Sequence, residues 1–249
     1  YRVMGEPGKA QEHLEAAVAL QRQMLGSESP VVARSTADLA WVLHDKSDYA
    51  GAESLLRGAL AMQVKLLGPT SGDVAETKLA LSDVLRHTGQ FDQAAVLGNE
   101  ALALRRSLGG DNDPETAECL SNLSKLARDR GDFEEAERTL AMAMAVWEAR
   151  YGPEHPRLVD GLNDKAWLQF RRGEMQGAEE TLDRSVRIGR SMLGEHHPDV
   201  GNAIYEWGVV KEARGDAAGA EASLREALGI NRASRGDANP SGWSTLDAP

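Results

Sequence analysis

Residues 114–152 read PETAECLSNLSKLARDRGDFEEAERTLAMAMAVWEARYG, and this stretch decides the fold. Asp113 stands before Pro114, and Glu115 and Glu118 follow. A capping acid, then proline, then early acids mark a helix start. Ala117, Leu120, Leu123, Leu126 and Ala127 recur at helical spacing. Gly131 supplies a stop, because glycine accepts the left-handed backbone at a helix end. A second helix starts after Asp132, with the stripe Phe133, Ala136, Leu140, Ala143, Met144 and Trp147. Gly152 ends it, and the loop GPEHP leads to Pro156. The unit is a pair of antiparallel helices with short connections.

Outward from this stretch, the same unit returns every 42 residues. Alanine stands at Ala10, Ala52, Ala94, Ala136, Ala178 and Ala220. Glycine stands at Gly26, Gly68, Gly110, Gly152, Gly194 and Gly236. A second glycine column holds Gly5, Gly89, Gly131, Gly173 and Gly215, with Ser47 in the gap. A proline column holds Pro30, Pro114, Pro156, Pro198 and Pro240, with Gly72 as its exception. A fixed period of this length marks a solenoid in which each unit packs on its neighbours. One first-helix column is small throughout: Ala40, Ser82, Ser124, Ala166 and Gly208. It faces the alanine column and lets the two helices approach closely.

The pattern G-x-[YF]-x-x-A, with a small residue twelve positions before the alanine, resembles the tetratricopeptide repeat. Gly89-Gln-Phe91-Asp-Gln-Ala94 and Gly131-Asp-Phe133-Glu-Glu-Ala136 carry it. The usual unit has about 34 residues. The 42-residue unit, with loops such as LGSESP, YGPEHP and LGEHHP, is similar to the kinesin-light-chain subtype. The resemblance covers residues 1 to 236. It implies an all-α, right-handed superhelical solenoid of about five full helix pairs, preceded by the second helix of an earlier pair. Tyr1 falls in the column of Leu43 and Leu85, so the chain is expected to be a bacterial piece of a longer array or multidomain protein. Residues 237–249 are expected to be a degenerate repeat start or a flexible tail, with Trp243 as a docking point. The pattern also departs from itself. Lys165 stands in the column of Leu39, Leu81 and Leu123, Met175 and Ala217 replace the aromatic, and Gly98 interrupts a leucine column.

Composition narrows the function. The net charge is -11, which argues against nucleic acid as a general partner, since that needs a basic footprint. No apolar run approaches the roughly 18 residues of a membrane span. The lone Cys119 excludes an intrachain disulfide and fits a reducing, cytoplasmic location. On its helix it reads as a buried small apolar residue. His155 and His197 precede prolines in equivalent loops, which points to loop structure. His196 beside His197 offers too few ligands for a metal. No phosphate loop, nucleophile elbow or H-E-x-x-H motif is present. The reading is no enzyme, no catalytic residue, no cofactor and no metal.

The resemblance implies a polypeptide partner, held along the concave face that the first helices line. There, asparagines and basic residues grip an extended peptide. The matching positions are Trp41, His44, Arg86, Asn122, Lys125, Arg128, Asn163, Trp167, Phe170 and Tyr205. Arg86, Lys125 and Arg128 read as a basic island flanked by Trp41, Trp167 and Phe170, suited to a ligand with acids beside an aromatic. Trp207 and Trp147 read as core. The alternative function is a regulatory or oligomerisation arm whose groove holds a segment of its own chain or of a neighbouring copy. A monomer is favoured over self-association.

Overall fold

The computed structural model describes residues 7–235; Gly5, Gly236, Pro240 and Trp243 lie outside them. The described residues form eleven helices and no strand. They are α1 (Pro7–Leu25), α2 (Pro30–Asp45), α3 (Tyr49–Leu67), α4 (Gly72–His87), α5 (Phe91–Gly109), α6 (Pro114–Asp129), α7 (Phe133–Tyr151), α8 (Leu158–Arg171), α9 (Met175–Leu193), α10 (Pro198–Ala213) and α11 (Ala217–Arg235). These make one leading helix and five pairs, as the period predicts. The described residues divide into two units that meet between Arg150 and Tyr151 in sequence.

In the first unit, α2 packs on α3, α4 on α5, and the first helices α2, α4 and α6 pack in succession. Ala52, Ala94 and Ala136 are fully buried. The hydroxyl of Ser82 donates to the carbonyl of Ala94 at 2.8 Å, and that of Ser124 to Ala136 at 2.7 Å. The twelve-residue spacing is therefore a direct contact within these two hairpins. Asp113 caps α6 by accepting from Glu115 N at 2.9 Å. Gly131 ends the first helix at φ +81, while Asp132 N closes the turn onto Ala127 O at 2.9 Å. Ser47 holds the equivalent place at φ +62, where a side chain is disfavoured. The gap at Gly98 has a steric cause. A Cβ there would lie 2.9 Å from Leu123 and 3.0 Å from Ser82 Oγ.

In the second unit, α8 packs on α9, α10 on α11, and α8 against α10. Its core gathers Ala166, Ala178, Leu182, Val186, Val200 and Ile204. The helix start expected at Pro156 moves to Leu158, because Leu158 N and Val159 N bond to His155 O and Pro156 O in a tighter turn. His155 and His197 share one loop role. Each Nδ1 accepts the backbone N–H two residues on, at 3.2 Å. Trp147 of the first unit is buried. Trp207 is only half-buried against its core, with Lys211 Nζ 4.5 Å from its ring. Lys165 lies on the exposed surface.

Candidate polypeptide-binding face

The C-terminal turns of α2 and α4 bring His44, Asp83, Arg86 and His87 together. Asp83 is the hub. Arg86 donates to it through Nη2 at 2.8 Å and Nε at 3.1 Å. Asn122 of α6 donates to it at 3.3 Å, and His44 Nε2 lies 3.1 Å from its other oxygen. The His44 contact is an ion pair without hydrogen-bond alignment. Arg86 also reaches across one repeat to Asp129 at 2.5 Å, which meets Arg128 Nε at 3.1 Å.

Charge states follow from these contacts. Burial works against charge on His44, but Asp45 and Asp83 outweigh it and lift its pKa to about 9. Burial and the Arg86 guanidinium push His87 down to about 4. Its neutral Nε2 then accepts from Arg86 Nη2, 2.8 Å away. Burial opposes the charge of Asp83 too, yet His44 and Arg86 hold its carboxyl well below the usual range. The rings pack as well: Tyr49 stacks on His87 with centroids 4.9 Å apart, and Trp41 meets His44 edge-on at 5.3 Å.

The His44 and His87 nitrogens and an Asp83 oxygen lie within 4.8 Å of one another, a donor set that suits a cation. Arg86 already supplies that positive charge. The cluster is a closed network joining α2, α4 and α6. Cys119 on α6 is fully buried, and burial pushes its thiol up to about 12.

The ten residues read from the sequence separate into distinct groups. Trp41, His44, Arg86, Asn122 and Arg128 join the network just described. Asp83 and Asp129 offset its basic charge, so Arg86 and Arg128 do not stand as uncompensated cations. Lys125 is half-buried on the same helix as Arg128. Asn122 takes Ser82 Oγ at 3.0 Å. In the second unit, Asn163 takes Ser185 Oγ at 2.5 Å and donates to Asp199 O at 3.3 Å. Both asparagines are spent on packing between hairpins. Trp167 and Phe170 of α8 line an apolar recess with Leu182, Val209 and Val210, rimmed by Glu206. The Arg171 guanidinium covers one side of Trp167 at 5.6 Å. Tyr205 is half-buried against the same core.

Sequence reasoning missed Gln63. It lies on α3 in the stripe Ala52, Leu56, Ala59, Gln63, all buried. A glutamine on an otherwise apolar stripe is the signal that marks it. With Arg34, Asp38, Trp41, Asp73 and Glu76 it lines a recess between α2 and α4.

The Tetratricopeptide repeat profile matches residues 1–65, 42–107, 73–149 and 126–191. The chain belongs to the tetratricopeptide repeat family. Among curated proteins, none matches it. Solved structures share the fold. BtubC (BKLC) from P. vanneervenii aligns over 100% of this chain and 99% of its own, at 22% identity and TM-score 0.66. A kinesin light chain protein of nearly identical TPR-like repeats from Podosopora anserina covers 84% of this chain and 99% of its own, at 22% identity and TM-score 0.61. A Rap protein complexed with Competence and Sporulation Factor covers 94% of this chain and 74% of its own, at 15% identity and TM-score 0.64. No described helix is long and apolar enough to cross a membrane.

Proposed function

We propose that this tetratricopeptide repeat chain is a non-catalytic interaction module that holds an extended polypeptide along its first helices. The observation that carries this is the recess of Trp167 and Phe170 between α8 and α10. Half-buried aromatics around a shallow apolar hollow suit contact with an apolar side chain, and such anchors supply most of an interface's energy. The Rap protein of the same fold, solved with its factor, supports binding as the use of the scaffold. No catalytic motif competes with this reading.

The test is panning of the protein against a random peptide library, with Trp167→Ala and the double variant Lys125→Glu, Arg128→Glu as controls. Hits of roughly micromolar affinity, about -8 kcal/mol, that weaken in Trp167→Ala are expected. Acid-rich hits lost only in the double variant would move the contact to α6. Absence of hits, together with self-association on concentration, would replace the reading with an oligomerisation arm.

A further inference from the structure

The recess between α2 and α4 has a polar floor. Gln63 is 1% exposed, and its Oε1 has no hydrogen-bond partner. An unpaired buried acceptor costs about 1–3 kcal/mol, and a donor arriving from outside relieves that cost. The space measures about 10 Å³, near the room one water-sized group needs. Asp38, Asp73 and Glu76 line it with a single cation, Arg34. Arg34 is already held by Asp73 at 2.6 Å. Trp41 lines the recess as well, and an aromatic ring beside the space attracts cations.

The next repeat shows what this register accommodates. Gln63 corresponds to Arg105, and Asp73 to Glu115, each 42 residues on. Arg105 Nη2 lies 3.2 Å from Glu115. There the chain places its own cation among the acids, whereas between α2 and α4 it places a neutral acceptor. Glu76 stands between the two seams. Burial raises its pKa, the Arg105 charge opposes that, and Asp38, Glu115 and Asp73 add to it.

Resting on the polypeptide-binding reading above, we propose that this recess takes the ammonium group of a lysine from the bound polypeptide. Gln63 Oε1 is the buried acceptor and Glu76 is the counter-charge, with Trp41 lining the recess. The ammonium is compact and carries three donors, while a guanidinium is planar and needs a wider, forked site. The chain's net charge of -11 favours approach of a basic segment.

The experiment titrates n-butylammonium chloride into the full chain, with 1-butanol as the neutral control. Nuclear magnetic resonance follows the Gln63 side-chain amide and the Trp41 indole N–H. A saturable shift with the ammonium alone is expected, weakened about tenfold or more in Glu76→Gln and Gln63→Met, as loss of a bond to a charged group implies. Glu76→Gln keeps the size and shape of the side chain, so this variant keeps the fold even if Gln63→Met does not. An equal response to butanol, or none to either, would overturn the proposal and leave the recess to water. Selected peptides provide the second arm. Hits that lose affinity when their lysine is acetylated support the proposal. Peptides that bind yet ignore Gln63→Met and Glu76→Gln overturn it while leaving polypeptide binding intact. A saturable ammonium site in a protein that selects no peptide supports the recess and removes the polypeptide reading.

Discussion

Arg86 and Asp129 sit 43 residues apart in the chain and 2.5 Å apart in space, joining consecutive first helices. The arginine side chain is only 8% exposed and is shared with Asp83. Its charge serves the stacking of hairpins before it serves any ligand. Replacing Arg86 by methionine removes the cation that Asp83 and Asp129 share, leaving His44 beside the one and Arg128 beside the other. Such a loss costs about 3–5 kcal/mol for a buried pair, toward the lower end here because Asp129 is partly solvated. Urea unfolding of the variant checks this. An unchanged midpoint would show that the pair is dispensable.

The histidines of the same cluster give stability a pH optimum. His44 has its pKa raised to about 9, against about 6.5 when unfolded. Its contribution is complete below pH 6.5 and is lost as pH rises through 9. His87 is depressed to about 4. It favours folding fully above pH 6.5, and that advantage is lost as pH falls through 4. Asp83, held low, adds stability above the ordinary carboxylate range that fades in acid. The midpoint of unfolding should therefore be highest near pH 6.5. His44→Gln should flatten the alkaline arm and His87→Gln the acidic one. Identical profiles for the wild type and both variants would rule the mechanism out.

Ser47 carries the one strained first-helix ending among the described residues. Its φ of +62 is shared with glycines in the other hairpins. A non-glycine residue there costs roughly 1–2 kcal/mol, and glycine's extra freedom in the unfolded chain returns about 0.5–1 kcal/mol of that. Ser47→Gly should stabilise the protein by about 0.5–1 kcal/mol. Thermal melting measures it, and a lower melting temperature would mean the Ser47 hydroxyl matters more than the backbone.

The strict columns were legible because each is tied to a local geometric need. Gly131 is glycine for its φ, and Ala136 is alanine for the Ser124 contact. The site was less legible. Asp83 and Asp129 look like ordinary helix acids until α6 packs on α4 and brings Asp129 to Arg86. Asn122 and Asn163 look like ligand-binding amides, yet Ser82 and Ser185 engage them first. Gln63 was hidden differently. Its column runs from glutamine at 21 and 63 to arginine, tryptophan, glycine and asparagine, so periodicity gives no consensus to read.

Cys119 should be inert in the folded protein. It is fully buried, and burial raises its thiol to about 12, so little thiolate exists at neutral pH. Reaction with a chromogenic disulfide reagent should follow opening of α6 and speed up with added urea. Immediate stoichiometric reaction in buffer would contradict this placement.

The seam between α6 and α7 should be intolerant of volume in a position-specific way. Ala136 is fully buried, and its carbonyl accepts from Ser124 at 2.7 Å. Leucine at that place must push the two helices apart and stretch this bond. The cost of such overpacking is about 1–3 kcal/mol. Ala141 lies on the same helix but is exposed, so Ala141→Leu should change stability by less than about 0.5 kcal/mol. Helix propensity is the same in both substitutions, so the difference between them isolates packing. Equal urea midpoints for the two variants would show that the hairpin does not depend on close approach at Ala136.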